Sequence, residues 1–215
     1  DTDFEEYGQY LRILQGPANL IKDNRNNGFS VRGVIEASGN ANGHDYVDLG
    51  LPSGTLWATM NVGASKPTDY GLYFQWGDTK GYTADQVGTG EGKKKFANDW
   101  SDYKWRLSGD SNSNVAFTKY TTAITLELKD DAANVNMDGG WHMPSLNQIG
   151  EVMDNTTTAW TTSDGVSGIT FTSTKDTSKL VFIPAAGNAL NGSVSKSGDR
   201  VAIWLPTSLN GFISL

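Results

Sequence analysis

Apolar and polar positions in this chain alternate over short stretches far more often than they repeat at helical spacing. Runs of β-branched and aromatic residues bounded by Gly, Asn, Pro or Ser recur along its length, the pattern of half-buried strands. The predicted strands cover residues 10–14, 29–35, 46–49, 55–62, 72–76, 168–173, 180–183, 201–204 and 212–214. One segment has the other period. Leu146, Ile149, Val152 and Met153 share a helical face, and Ser145 with Gln148 forms a capping box just after Pro144. Asp154, Asn155 and a threonine run end that helix, and a second helical turn is expected over 130–134. Between 77 and 122 aromatics occur without periodicity, and a loop that long in a compact domain is usually functional or weakly ordered.

Composition narrows the picture. With 215 residues, 37% of them hydrophobic, and seven tryptophans, one sizeable core can form. Twenty-five glycines fit a loop-rich β protein. A formal charge of −7 argues against binding nucleic acid or an anionic membrane, both of which need a basic field. The one tight basic run, Lys93 to Lys95, sits among Gly88, Gly90 and Gly92 and is expected to be a loop tip. No apolar run approaches the roughly 18 residues of a membrane span. The chain opens on Asp1-Thr2-Asp3 without a signal peptide, which is read as a processed or trimmed product.

Several segments then line up. Tyr46-Val47-Asp48-Leu49-Gly50-Leu51-Pro52-Ser53-Gly54-Thr55-Leu56-Trp57-Ala58-Thr59 is followed by Asn61-Val62-Gly63-Ala64, then Asp69-Tyr70-Gly71 and Phe74-Gln75-Trp76-Gly77-Asp78. Gly140-Trp141-His142-Met143-Pro144-Ser145 and Phe182-Ile183-Pro184-Ala185-Ala186-Gly187 complete the series. In this order the motifs resemble the Fibrobacter succinogenes major paralogous domain family of Bacteroidetes. That resemblance implies a fold akin to C-type-lectin-like domains and formylglycine-generating enzymes. It therefore implies an α+β, C-type-lectin-like domain spanning 1–215, with short antiparallel strands, long loops and one or two short helices.

The family ends in a segment similar to Asn27-Gly28-Phe29-Ser30-Val31-Arg32, which here precedes the family's usual beginning. Three readings follow. The chain is a circular permutant in which 1–36 supplies the terminal strands and 44–215 the remainder; or it is a window across tandem domains; or 1–36 is an unrelated segment. In the permutant, 29–35 is expected to pair antiparallel with the strand near 46–49, across a turn at 38–43, and both chain ends fall in a surface loop.

The chemistry leaves little room for an enzyme. The related oxidases bind copper through cysteine thiolates, and this chain has no cysteine; family members often carry one where Met60 stands. His44 and His142 are the only histidines, too few for a three-histidine zinc site, and no nucleophile elbow occurs. His142 is expected to pack at the helix entrance. The carboxylate pairs Glu5-Glu6, Asp99 with Asp102, and Asp130-Asp131 lie in polar stretches. No cofactor is expected; the one place to look is calcium, at Asp99, Asp102 and Asp110 or at Asp130, Asp131, Asn134 and Asp138.

Binding has positive support. Trp100, Tyr103 and Trp105 stand in a polar loop region, where their rings could stack on a sugar or anchor a protein interface, or else pin the loop to the core. Trp57, Trp76, Trp141 and Trp160 are expected in the core. A second surface follows from the resemblance, since late loops form the ligand face of C-type-lectin-like domains. It maps to 206–210, including Ser208 and Asn210, and continues into Tyr7, Tyr10 and Arg12 with Asn24, Arg25 and Asn26 nearby. Leu205-Pro206 stands where the family usually has serines. The expectation is a non-catalytic recognition module, secreted or on the surface of a Gram-negative bacterium, binding a glycan or a host or bacterial surface protein. It would not insert into the membrane, and would act as a monomer or strand-exchanged oligomer. The alternative is a structural adhesin or pilus-associated subunit that assembles by strand addition.

Overall fold

Short β-branched runs separated by glycine turns favour antiparallel hairpins, and the computed structural model is built mainly of them. It describes residues 7–14, 18–109, 115–122 and 125–208. The first half holds β1 (Tyr7–Ile13), β2 (Ala18–Asn24), β3 (Arg32–Ile35), β4 (Tyr46–Asp48), β5 (Leu56–Asn61), β6 (Arg106–Ser108) and β7 (Ala116–Phe117). Helices α1 (Ala132–Met137) and α2 (Leu146–Asn155) follow. The chain then runs through β8 (Thr156–Ser163), β9 (Val166–Ser173), β10 (Leu180–Pro184), β11 (Asn188–Leu190), β12 (Ser193–Ser195) and β13 (Val201–Ser208). Three-stranded sheets run in the orders β13-β1-β2, β10-β9-β8 and β3-β5-β4, with β11-β12 and β6-β7 as two-stranded ribbons. This is an α+β architecture dominated by strands.

Local chemistry explains the best-defined elements. At the start of α2 the Ser145 hydroxyl accepts from the Gln148 amide at 3.3 Å, and the Gln148 side chain accepts from the Ser145 amide at 2.9 Å. Ile149 and Val152 are buried as the periodicity requires. The threonine run that ends α2 becomes a strand of its own, β8. It turns back into β9 through Asp164-Gly165, both at positive φ (47° and 80°), the backbone that a two-residue hairpin turn demands. Asn191-Gly192 does the same between β11 and β12.

Two strand expectations need correction. Residues 72–76 form no continuous strand: Tyr73 bridges Tyr82 while its neighbour Phe74 bridges Phe29, so the segment is shared between two partners. Strands β3 and β4 do not pair with each other; β5 lies between them, with Trp57 opposite both Val34 and Val47. Val34 exchanges both of its backbone hydrogen bonds with His142, which closes the other side of β3. The expected strand over 212–214 and both chain ends lie outside the described residues.

β1 is buried on both faces. Alternation sends Tyr10 into an aromatic core with Phe29, Trp76, Trp100 and Trp204, and sends Leu11 and Ile13 into an aliphatic core with Trp57, Ile149, Val152 and Ile169. Trp57, Trp76 and Trp141 are fully buried, and Trp160 is half-buried against the aliphatic core. Arg32 crosses between sheets. Its guanidinium donates to Asn61 Oδ1 at 3.0 Å and Ala58 O at 2.9 Å on β5, and to Phe182 O at 3.1 Å on β10. Burial lowers its pKa to about 9, which still leaves it charged at neutral pH. Arg32→Met removes all three donors and leaves their acceptors buried. Guanidinium denaturation is expected to show a loss of about 3 kcal/mol or more.

Candidate functional site

The aromatic trio of the long loop is a core feature and offers no open stacking platform. Trp100, Tyr103 and Trp105 are 0%, 4% and 7% exposed. Their rings meet edge-on, Trp100 to Tyr103 at 5.3 Å and Tyr103 to Trp105 at 6.0 Å between centroids, and the Tyr103 hydroxyl donates to Trp76 O at 3.0 Å. The physical reason is that most of this stretch lacks a strand ladder, so buried aromatic area holds it down. The packing imposes left-handed backbone on three bulky residues, Phe96, Trp100 and Tyr120 (φ 53°, 61° and 59°), an uncommon conformation for such side chains.

The second expected surface divides. Tyr10, Arg25 and Ser208 are buried, which corrects their expected exposure. Arg25 donates to Tyr120 O at 2.9 Å, and its guanidinium lies 4.5 Å from the Trp76 ring centroid, so it serves the aromatic core. Asn26 is also buried and donates to Ala97 O at 2.7 Å. Tyr7, Arg12 and Asn24 remain half-buried at the sheet surface, with the Lys22 ammonium 4.7 Å from the Tyr7 ring centroid. Asn210 lies outside the described residues.

What the fold builds around Arg12 is a polar corner. On β1, Arg12 stands opposite Ala202 of β13 and Asn19 of β2, Tyr10 opposite Trp204 and Ile21, and Gly8 opposite Asp23. Residues two apart on a strand share a face, so Arg12, Tyr10, Asn19 and Asp23 lie on one side of the sheet. Arg200 stands just before β13, and its charge acts on both Tyr10 and Asp23. Its guanidinium donates to Asn188 Oδ1 at 3.2 Å. The Nε atoms of Arg12 and Arg200 are buried and without hydrogen-bond partners among the described residues.

The carboxyl of Asp23 is the pivot of this corner. Burial pushes its pKa up, against the Asn24 amide at 2.8 Å, the charges of Arg200 and Arg12, and the Asn27 side chain, which all favour the ionised form. The Tyr10 hydroxyl is raised as well, by burial first and then by Asp23, with Arg200 and Arg12 opposing. The charges of two guanidinium groups thus act on one carboxylate, on a chain that is acidic overall. The arrangement offers planar N–H donors and a local positive charge, which suits a carboxylate or another oxyanion. Asp23, Asn188 and Arg200 lie outside the surface the sequence suggests, and Asn27 enters the sequence reading only through the family-ending motif. The alternation around Ala202 and Trp204 could have flagged Arg200, but the strand register that joins it to Arg12 is not written locally.

The acidic stretches considered for calcium or acid–base chemistry are committed to other work. Asp130 accepts from Lys104 and from the Tyr120 hydroxyl at 2.7 Å, and pairs with Lys119. Burial raises its pKa, but these hydrogen bonds outweigh that and hold it below the usual aspartate range. Asp131 caps α1 through the amides of Ala133 and Asn134 and also accepts from Met143 N. Burial dominates there, and its pKa is raised. Asp102 accepts from Ala97 N and the Gln75 side chain, and Asp99 from Ser101 N. Glu5, Glu6 and Asp110 lie outside the described residues. Among the described residues, no three His, Asp or Glu side chains are grouped so as to hold a metal ion. His142 is half-buried beside the entrance to α2, with Nδ1 2.9 Å from Met143 O.

No helix among the described residues is long and apolar enough to cross a membrane. No family model matches the chain, and no curated protein or solved structure matches it either.

Asp23 supplies a test of the corner's electrostatics. Because its folded pKa lies above the unfolded value, ionising it costs stability, and the cost grows as pH rises from about 4 through the raised value. Asp23→Asn keeps the Oδ1 acceptor and cannot ionise. Denaturation curves at about pH 3 and pH 7 are expected to show the variant gaining on the wild type at the higher pH.

Proposed function

We propose that this chain is a non-catalytic recognition domain of the C-type-lectin-like kind, secreted or displayed at a bacterial surface, whose ligand face is the Arg12–Arg200 corner. The observation that carries the proposal is that the charges of two half-buried guanidinium groups, Arg12 on β1 and Arg200 just before β13, both act on the Asp23 carboxyl, which Asn27 also bonds, while Arg200 donates to Asn188. Such a corner selects ligands that present a carboxylate beside hydroxyl or amide groups, as an acidic glycan or an acidic protein surface does. Arginine brings specificity because its planar fork matches a carboxylate at two points.

The permuted reading draws support from the same region. Gly8 pairs with Ser208, so the end of β13 adjoins the start of β1, and Ser30 in the family-ending motif bridges Ile203. The competing reading, in which residues 1–36 are donated to a neighbouring subunit, is weakened because β1 already fills the centre of a sheet in its own chain.

The experiment is a binding screen against acidic and neutral glycans and acidic peptides, with and without calcium, repeated with Arg12→Gln and Arg200→Gln. Selective binding of carboxylated ligands, weakened at least about tenfold in each variant while the melting temperature is kept, is the expected result. Binding unchanged in both variants would place the ligand elsewhere, and no binding to any acidic ligand would sink the proposal.

A further inference from the structure

Sheet edges expose a row of unpaired N–H and C=O groups, and folded proteins usually guard them with charge, proline, a bulge or very short strands. Most edges of this fold follow that rule. β2 carries Lys22 and Asp23; β4 and β12 are three residues long; Phe182 O on β10 is taken by Arg32; β3 is closed by His142. β8 does not follow it. It is eight residues long, terminal in its sheet, and paired with β9 at every position without a bulge. Its sequence, Thr-Thr-Thr-Ala-Trp-Thr-Thr-Ser, contains no charge, proline or glycine. Thr157, Thr158 and Ala159 are exposed in succession, so both faces of the strand reach solvent there. Among the described residues, no backbone group of 157–163 bonds to any strand except β9.

The ends of β8 say what would cover it. Exposed Asp154 and Asp164 flank the strand. Asp154 also lies in the last turn of α2, which contains no basic residue, so a carboxylate adds to the negative end of the helix dipole. A second copy is a poor occupant. Antiparallel self-pairing brings the end of one β8 that adjoins exposed Asp154 beside the end of the other that adjoins exposed Asp164, crowding carboxylates at both ends of the pair between two chains of charge −7. Cations at the ends of an incoming strand remove that conflict.

We propose that β8 accepts an extended segment of another polypeptide as a fourth strand, uncharged and β-branched in its middle and basic at its ends. Main-chain hydrogen bonds to the open edge supply the affinity, and Asp154 and Asp164 select the flanking lysine or arginine. This acceptor edge is independent of the Arg12–Arg200 corner, and neither inference depends on the other.

The probe is a synthetic peptide of about seven residues, alternating valine and threonine between two lysines, a length matched to one strand. Titration is expected to give saturable binding, with amide exchange slowed within 157–163. N-methylation at alternate residues is expected to weaken binding at least about tenfold, because several main-chain hydrogen bonds are lost together. Glutamate in place of the lysines, or Ala159→Lys in the protein, is expected to weaken it in the same direction. No binding, equal binding of the N-methylated peptide, or slowed exchange confined to other strands would overturn the proposal. Concentration-dependent self-association that protects the β8 amides without peptide would overturn it in favour of a second copy.

Discussion

The guanidinium of Arg32 is the tie on which the arrangement of sheets depends. A planar cation with donors on three nitrogens can meet acceptors in three directions at once, and here it reaches Asn61 and Ala58 on β5 and Phe182 on β10. Asn61 is in turn held by donating to Tyr70 O at 2.9 Å, which extends the tie into the loop before the aromatic segment. Lysine could not replace this geometry, because a single ammonium cannot span the same three acceptors. A buried charge is expensive unless fully bonded, so the site punishes any rearrangement that would break one of its contacts. That argues for one relative placement of β3, β5 and β10 over the many that hydrophobic packing alone would tolerate.

Around this tie the molecule solves a second problem, that of a long loop with few strands. Trp100, Tyr103 and Trp105 bury their rings with Trp76, Phe117 and Tyr120, while Phe96 packs in a separate cluster with Tyr73 and Val87, and Phe96, Trp100 and Tyr120 adopt left-handed backbone. Uncommon backbone of this kind persists only where surrounding contacts over-determine it. Here the fixing contacts are edge-on ring pairs, with Arg25 against Trp76 and Phe117. The rings that look like a binding platform in one dimension are therefore the structural floor of the loop. On the β1–β2 side the exposed chemistry is polar instead, with Arg12 on the same sheet face as Asp23 and the charge of Arg200 acting on that carboxyl.

Much of the architecture was determined by the sequence itself. The alternating runs, the Ser145–Gln148 capping box and the helical face of Ile149 and Val152 are local patterns whose physics acts within a few residues, and the structure contains them. Asp164-Gly165 and Asn191-Gly192 are turn signals of the same local kind, but no strand was expected at β8, β11 or β12. Tertiary structure alone decided the rest. That β5 lies between β3 and β4, and that Trp100 faces the core and not solvent, depended on segments far apart in sequence. The polar corner was half visible through Arg12 and Asn24, but Arg200 comes beside Arg12 only through the pairing of β13 with β1. Local composition sets which elements can form; burial and register, which act between distant residues, set which side chains they bring together.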